Sequence, residues 1–229
     1  MKFLLTNDDG FDAPGLAALE ETLAQLGELI VIAPNQPLSG VSHQTTIHRP
    51  VNIEQHSASR YSIDGTPADC VRIGLLHIAP DTDWVLSGIN DGGNLGVDVF
   101  MSGTVAAARE AAWLRTSAMA ISQYRRPDRT DVWEVAKKMV SRVMTRLLAR
   151  KPSPRQYWNV NLPDLGGQDT TPEMVFCGLD PNPLPVAYRE VDGGLQYSGV
   201  YGKRKRQPHL DVDVCFSGRV AITEVPAGT

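Results

Sequence analysis

Short apolar runs alternate with helix-like stretches through the first two thirds of the chain, and this alternation restricts the fold more than any other feature. The apolar runs have the length of buried strands, and the stretches between them carry apolar stripes at helical spacing. Strands that alternate with helices form a largely parallel sheet with both faces covered. We therefore predict an α/β, Rossmann-like three-layer core with a mostly parallel sheet. The predicted strands are residues 2–6, 29–33, 84–86, 118–122 and 157–162, with short strands at 51–53 and 61–63, and the predicted helices are residues 13–26, 67–77, 105–114 and 131–150.

The alternating pattern ends at Pro163. The proline-rich residues 181–185 favour an irregular segment. Residues 212–216 and 220–225 resemble two strands on either side of a Ser-Gly-Arg turn at 217–219. We therefore predict an α/β core at residues 1–163 followed by a β-rich C-terminal extension at residues 164–229, within a single structural domain.

Charge and composition limit the partners of such a chain. Its 229 residues carry a net charge of −4, and 42% of them are hydrophobic, which suits one domain with a sizeable core. A weakly acidic protein is not suited to binding nucleic acid by neutralising phosphates. A small anionic substrate would need a local positive site, such as a metal ion or a helix N-terminus.

The cysteines indicate a reducing environment. Cys70, Cys177 and Cys215 form no Cys-x-x-Cys pair, which argues against a disulfide framework and against structural zinc; we expect them to be small core residues. Met1 leads directly into the first predicted strand, which leaves no room for a signal peptide, and no apolar run reaches membrane-spanning length. We expect a soluble, cytoplasmic protein.

Two adjacent aspartates, Asp8 and Asp9, follow the first predicted strand directly and precede a glycine. Neighbouring carboxylates repel each other and are costly to desolvate unless a positive charge neutralises them, and no Lys or Arg lies within the next dozen residues. A hard divalent cation would supply that charge, because carboxylate oxygens are its preferred ligands. The sequence Asn-Asp-Asp-Gly is equally good chemistry for a solvated turn, and this segment alone leaves both interpretations open.

Two further loops should meet these aspartates, because ligands bind beyond the carboxyl ends of the strands in open α/β sheets. One follows strand 29–33 and contains Ser39-Gly40-Val41-Ser42, and the other spans residues 87–103 and is rich in glycine and asparagine. Serine and asparagine oxygens can complete a coordination shell that is built on carboxylates. The three loops therefore predict a polar site at one edge of the sheet.

The tripeptide Ser102-Gly103-Thr104 opens the helix predicted at 105–114. Free N–H groups at a helix start bind phosphate oxygens, although Thr104 could equally serve only as an N-cap. Together with two carboxylates at the same edge, this combination indicates metal-assisted phosphoryl chemistry, in which a cation polarises a phosphoryl oxygen and activates a bound water. One aspartate would bind the metal while the other orients or deprotonates the water.

Ordered motifs run along most of the chain. They are Leu5-Thr6-Asn7-Asp8-Asp9-Gly10, Ala33-Pro34 with Ser39-Gly40-Val41-Ser42, Asp64-Gly65-Thr66-Pro67-Ala68-Asp69-Cys70-Val71, Ser87-Gly88-Ile89-Asn90 with Gly93-Asn94-Leu95-Gly96, Asp98-Val99 and residues 102–110, Asn159-Val160-Asn161-Leu162-Pro163, and Asp213 with residues 218–223. An isolated Asp-Asp-Gly would be a weak signal, but the ordered set is highly specific. It resembles the SurE family, the stationary-phase survival proteins that act as metal-dependent 5′-nucleotidases.

The resemblance implies a phosphomonoesterase that hydrolyses nucleoside 5′-monophosphates, with polyphosphate as a substrate of some members and 3′-nucleotides as further candidates. It implies one divalent cation per subunit, magnesium or manganese, whose ligands are Asp8, Asp9, Ser39 and Asn90. Asp8 and Asp9 would be catalytic, and the residues facing the phosphate would be Asn94, Ser102, Gly103 and Thr104. It also implies a homodimer or homotetramer joined through the C-terminal extension, while the preferred base and cation stay open.

Some features depart from the family pattern. Met101 replaces a common aromatic residue and Ala111 a usual glycine, and both changes should affect packing more than chemistry. The chain stops soon after Val225, where relatives tend to continue, which puts the oligomer in doubt. The basic run at residues 203–206 is interpreted as a solvated loop, and His43 as a structural or exposed histidine rather than a ligand.

Two other classes of function fit parts of the pattern. A phospho-acceptor receiver domain also places paired acids after its first strand, but it needs an aspartate and a lysine at later strand ends. The chain offers Ser87-Gly88-Ile89-Asn90 and Ser122-Gln123 there, so this interpretation fails. A nucleotide-binding module without activity stays open, although four intact ligand positions argue against it.

Overall fold

The computed structural model describes residues 1–126, 132–168 and 170–228. Its strands are β1 (Lys2–Thr6), β2 (Glu28–Pro34), β3 (Ile53–Ser57), β4 (Arg60–Ile63), β5 (Trp84–Asp91), β6 (Ser117–Gln123), β7 (Gln156–Leu162), β8 (Met174–Phe176), β9 (Tyr188–Val191), β10 (Gly194–Tyr197) and β11 (Val220–Pro226). Its α-helices are α1 (Pro14–Leu23), α2 (Pro67–Ile73), α3 (Gly103–Trp113), α4 (Trp133–Leu147) and α5 (Asp211–Phe216). A π-helical turn follows α2 at Gly74–Ile78, and 3₁₀ turns occupy Gly96–Phe100 and Tyr201–Lys203.

One sheet contains nine of these strands, in the order β3-β4-β2-β1-β5-β6-β7-β11-β8. The run from β4 to β7 is parallel throughout, and β11 is parallel to β8. Antiparallel pairing occurs between β3 and β4 and between β7 and β11. The predicted mostly parallel sheet is therefore confirmed, and the carboxyl ends of the parallel run from β4 to β7 share one edge, whereas β11 and β8 run in the opposite direction.

Each face of the sheet carries its own pair of α-helices, because successive strand residues point to opposite sides. Phe3 and Leu5 pack into a core cluster with residues of α1 and α4. The intervening Leu4 belongs to a second cluster, with residues of α2 and α3. The side chains of Met139 and Val143 on α4 are buried, as the apolar stripe predicted. These two clusters confirm the three-layer architecture; the predicted start of α4 at residue 131 lies outside the described residues.

The strand predicted at 84–86 continues to Asp91 as β5, so residues 87–91 belong to the sheet and not to the glycine-rich loop. Glycine and asparagine are poor strand formers in isolation. Here β5 lies between β1 and β6, and it pairs with β6 as far as Asn90 and Asp91 after a register shift beyond Ser87. Neighbouring strands thus override local propensity and place Asn90 near the end of β5.

Residues 212–216 form α5, so the predicted strand there is wrong. The alternation of Val212, Val214 and Phe216 is compatible with a strand. Asp211, the first residue of α5, favours the helix, because its carboxylate accepts the N–H of Val212 at 2.8 Å at the helix start. The strand predicted at 220–225 is confirmed by β11.

The C-terminal extension completes the sheet of the core. β11 lies between β7 and β8, and it pairs with β7 from Ala221 to Pro226. β9 and β10 form a separate two-stranded hairpin whose residues, including Leu195 and Tyr197, are exposed. The expected additional strands after residue 163 are therefore present.

All three cysteines are free, and Cys70 and Cys215 are buried in the core as expected. Cys177 is partly buried. No helix in the described parts of the chain combines the length and apolar character that crossing a membrane requires.

Candidate functional site

The loops after β1, β2 and β5 meet at the carboxyl edge of the sheet, as the sequence predicted. Between them lies an open cleft of about 280 Å³. Its walls come from distant parts of the chain, brought together by the parallel strand order. The residues lining it are Asp8, Asp9, Ser39, Gly40, Asn90, Asp91, Gly92, Gly93, Asn94, Asp98, Met101 and Ser102.

Asp8 is the more buried of the two aspartates, with 5% of its surface exposed. Its carboxylate accepts a hydrogen bond from the hydroxyl of Thr104. Burial raises the pKa of Asp8, and hydrogen bonds from Thr104 and from the backbone of Gly103 oppose that rise without cancelling it. The carboxylate therefore lies against the positive start of α3, yet burial still disfavours its charge.

Asp9 faces the same cleft from a less buried position. Burial raises the pKa of Asp9 to about 6; the N–H of Asp91, 3.0 Å from Oδ2, opposes the rise, and the charges of Asp8 and Asp91 add to it. No cationic side chain among the described residues contributes to the pKa of either aspartate. Two neighbouring carboxylates thus share a site without a positive partner, which fits a bound cation.

Asn90 and Ser39 supply neutral oxygens to this site. The Oδ1 atom of Asn90 lies 3.2 Å from the hydroxyl oxygen of Thr104, the same hydroxyl that contacts Asp8. The amide nitrogen of Asn90 donates to the carbonyl of Gly92 at 2.8 Å, which fixes the orientation of the side chain. Ser39 is exposed on the loop after β2. All four predicted metal ligands line one cleft.

The donor set is suited to a hard cation. Within the described ranges, no group of three or more His, Cys, Asp or Glu side chains is arranged to hold a metal ion. The predicted ligands form a different kind of set, in which two carboxylates combine with a hydroxyl and an amide oxygen. Oxygen ligands of this kind are preferred by magnesium and manganese.

Two glycines permit the close approach of backbone that this site requires. Gly88 in β5 has a φ of +140°, and a Cβ there would lie 2.2 Å from the carbonyl oxygen of Ile121. A Cβ on Gly103 would lie 2.9 Å from the Cβ and Oδ2 atoms of Asp8. A side chain at position 103 would therefore displace the carboxylate of Asp8.

Asn94 is held by a buried amide network. Its N–H donates to Oδ1 of Asn161 at 2.8 Å, and its carbonyl accepts from the side-chain amides of Asn159 and Asn161 at 2.9 and 3.0 Å. Its own side-chain amide donates to the hydroxyl of Ser122 at 2.8 Å. The backbone of Asn94 is thus fixed by β7, and the residue lines the cleft as predicted.

The three residues Ser102, Gly103 and Thr104 at the start of α3 have two different roles. Ser102 lines the cleft, and its hydroxyl caps the helix by accepting the N–H of Val105 at 3.1 Å. The N-cap is therefore Ser102 and not Thr104. Gly103 and Thr104 are buried within the helix, and their donors contact Asp8.

His43 and the basic run at residues 203–206 both lie outside the cleft. His43 has its Nε2 atom 2.7 Å from Oε2 of Glu110, and its ring stacks on Trp113 with centroids 4.7 Å apart. This contact agrees with a structural role. In the basic run, Lys203 and Lys205 are exposed, but Arg204 is buried, so the interpretation as a solvated loop is wrong for Arg204.

Sequence reasoning gave no role to a group of residues beside the cleft. Arg204 and Tyr201 both hydrogen-bond to the carboxylate of Asp98, which lines the cleft. Arg125 forms an ion pair with Asp91, which also lines the cleft. The motif around Asp98 was the signal available for this group, since it places an acid between the two phosphate-site candidates Asn94 and Ser102.

Comparisons with known proteins identify the family of the chain. A family model described as Survival protein SurE matches residues 3–179. A protein of Nostoc sp. (strain PCC 7120), provisionally named a 5′-nucleotidase, is 50% identical over 225 residues, which are 98% of this chain and 99% of the relative. The 5′-nucleotidase SurE of Legionella pneumophila (strain Philadelphia 1) is 44% identical over 165 residues, which are 72% of this chain and 65% of the relative.

A solved structure shows the same fold. The crystal structure of the SurE protein from Aquifex aeolicus superposes with a TM-score of 0.84 at 31% sequence identity, over 100% of this chain and 94% of that one. The family model covers most of the chain, and the Nostoc relative matches nearly all of it. The chain therefore belongs to the SurE family.

Proposed function

We propose that this chain is a metal-dependent 5′-nucleotidase, a phosphoric monoester hydrolase that releases phosphate from nucleoside 5′-monophosphates. The name of the Legionella relative states this nucleotidase activity, and the Nostoc relative carries it in a provisional name. The observation that carries the proposal is the cleft where Asp8 and Asp9, without a cationic partner among the described residues, meet Ser39 and Asn90.

Four side chains would hold one divalent cation, magnesium or manganese. Asp8 and Asp9 would contribute the negative charge, and Ser39 and Asn90 the neutral oxygens. The raised pKa values of both aspartates support this assignment, because burial leaves each carboxylate in need of nearby positive charge. When bound, such a cation polarises a phosphoryl oxygen and lowers the pKa of a water molecule.

Asp8 and Asp9 are suited to different tasks. Asp8 is fixed by Thr104 and by the start of α3, so we assign it to holding the cation. Asp9 is less buried and faces the cleft, where a carboxylate can accept a proton from an attacking water. We assign it to orienting and deprotonating that water, in addition to ligation.

The phosphate would be held beside these aspartates. Asn94 and Ser102 line the cleft, so we assign them to direct contact with phosphate oxygens. Gly103 and Thr104 are the first residues of α3, and we assign them to the same phosphate site. Since their donors already contact Asp8, their part is to fix that carboxylate at the position where phosphate and cation meet.

The proposal extends to assembly and location. We propose a homodimer or homotetramer in which the C-terminal extension joins subunits, because the β9–β10 hairpin exposes Tyr188, Leu195 and Tyr197. Exposed apolar side chains on an isolated hairpin favour burial against a second surface. We also propose a cytoplasmic location, which the three free cysteines support.

The direct test measures phosphate release from AMP. We expect hydrolysis with manganese or magnesium, loss of activity in EDTA, and recovery when the cation is restored. A panel with 3′-AMP and polyphosphate then defines the substrate range. Hydrolysis that survives EDTA would contradict the metal assignment, and AMP binding without any hydrolysis would support a nucleotide-binding module instead.

A further inference from the structure

Two residues of the C-terminal extension hold the loop that follows β5. Arg204 donates from Nη1 to Oδ2 of Asp98 at 2.7 Å and from Nη2 to the carbonyl of Leu95 at 3.2 Å. The hydroxyl of Tyr201 lies 2.6 Å from the same Oδ2 atom and donates to it. The side chain of Arg204 is fully buried, although it belongs to an otherwise exposed basic run.

Asp98 connects this contact to both phosphate-site candidates. Its Oδ2 atom accepts the N–H of Leu95 at 3.1 Å, directly after Asn94. Its carbonyl accepts the N–H groups of Met101 and Ser102, both at 3.0 Å, directly before α3. A displacement of Asp98 would therefore move Ser102 directly, and it would pull on Asn94 through Leu95, against the contacts that hold Asn94 to β7.

The ion pair between Arg204 and Asp98 needs both partners. A buried charge is costly unless an opposite charge and hydrogen bonds compensate it. Burial alone would lower the pKa of Arg204, but the attraction of Asp98 outweighs it and the pKa is raised. Removing the guanidinium would leave the carboxylate of Asp98 buried without a cation, and the turn at 96–100 would rearrange to expose it.

A second acid, Asp211, links the loop after β5 to the C-terminal extension by hydrogen bonds. Asp211 accepts the N–H of Gly96 at 2.6 Å through Oδ2 and the N–H of Asp180 at 2.8 Å through Oδ1. Residues 180, 201, 204 and 211 all lie beyond the region matched by the family model, which ends at residue 179. The loop is thus positioned by a part of the chain that carries none of the predicted site residues.

We propose that Arg204 is a positioning residue that acts through Asp98 to hold Asn94 and Ser102 where the substrate phosphate binds. This inference rests on the proposed function, since it takes the cleft to be the phosphate site. The described contacts of Arg204 do not include Asp8, Asp9, Ser39 or Asn90. Its effect should therefore fall on phosphate binding and leave cation binding intact.

The test compares Arg204→Met with Lys205→Met, a matched control that removes one exposed charge from the same run. For Arg204→Met we expect the KM for AMP and the inhibition constant for inorganic phosphate to rise about tenfold. The dissociation constant for manganese, measured by calorimetry, should stay within about twofold of the unchanged protein. Lys205→Met should match the unchanged protein in all three values.

Two further variants keep the test decisive. Arg204→Lys retains the charge and should recover part of the phosphate affinity. If Arg204→Met does not fold, Tyr201→Phe tests the same connection, because it removes the hydroxyl that contacts Oδ2 of Asp98 and lies 3.2 Å from the carbonyl oxygen of Gly93; a rise in both constants supports the proposal. Unchanged KM and phosphate inhibition, or an equal loss of manganese binding, would overturn it.

Failure of the proposed function is a separate outcome. If the unchanged protein does not hydrolyse AMP, that function fails, and calorimetry with inorganic phosphate in the presence of manganese then tests the positioning role. Weaker phosphate binding by Arg204→Met than by Lys205→Met would support it. Equal binding by the two variants, or none by the unchanged protein, would overturn it.

Discussion

The hydroxyl of Thr104 donates a hydrogen bond to the carboxylate of Asp8, and it does so from within the first turn of α3. The donor is fully buried, and the acceptor nearly so. This contact joins the loop after β1 to the helix that follows the loop after β5. It links the two motifs that most clearly indicated phosphoryl chemistry.

We predict that this hydroxyl supports cation binding. Thr104→Val keeps the shape of the side chain but removes the donor, which should raise the pKa of Asp8 further and weaken manganese binding about tenfold. Thr104→Ser retains the hydroxyl and should stay within about threefold of the unchanged protein. Calorimetric titration with manganese checks both values, and equal binding by the two variants would contradict the prediction.

Replacing either aspartate should abolish most activity. Asp8→Asn and Asp9→Asn each remove a negative charge from the proposed metal site, and we expect turnover of AMP to fall on the order of a hundredfold or more. The control is Asp12→Asn, which changes an exposed acid of the same segment. Retained activity in both Asp8 and Asp9 variants would refute the assignment.

Cation binding should depend on pH. A carboxyl whose pKa is raised on folding loses stabilisation as it ionises, so the contribution of Asp9 to the stability of the metal-free protein should fall as the pH rises from about 4 towards 6. Burial raises the pKa of Asp9 to about 6, and a cation competes with the proton of this carboxyl. Manganese affinity should therefore increase between about pH 5 and about pH 7 and then level off.

Thermal unfolding with and without manganese, measured across this pH range, checks the dependence. The increase in Tm caused by manganese should be small at low pH and large near neutrality. Asp12→Asn should show the same profile. A manganese effect that does not change with pH would be inconsistent with the titration of Asp9.

A methyl group at position 103 should damage the site. Gly103→Ala places a Cβ 2.9 Å from Oδ2 of Asp8, and overpacking at a buried contact shifts the neighbouring groups. We expect at least about a tenfold loss of kcat/KM for AMP. Gly194→Ala, whose Cβ would meet nothing within 4 Å, is the matched control, and similar kinetics for the two variants would refute the steric argument.

Local sequence signals account for the sheet and for the aspartates. The alternation of apolar runs and helical stripes was sufficient to predict the three layers, because each element buries its own face. The pair Asp8-Asp9 was recognisable because two adjacent carboxylates after a buried strand need compensation wherever they lie. For these features the physical cause lies within a short window of sequence.

Long-range contacts explain what sequence reasoning missed. In the sequence, nothing distinguishes Arg204 from the neighbouring cations Lys203 and Lys205. Its partner Asp98 lies 106 positions away. In α5, the alternation of apolar residues is compatible with either a strand or a helix. Its first residue, Asp211, also binds the distant Gly96, which is a contact that a short window of sequence does not contain.

The position of β11 inside the sheet has a consequence for biosynthesis. β11 fills the gap between β7 and β8, so one edge of β7 stays unpaired and β8 has no partner strand until residues 220–226 have left the ribosome. Tyr201 and Arg204, which hold the loop beside the cleft, are also made late in translation. A nascent chain halted before this point would therefore expose open strand edges and depend on chaperones against aggregation.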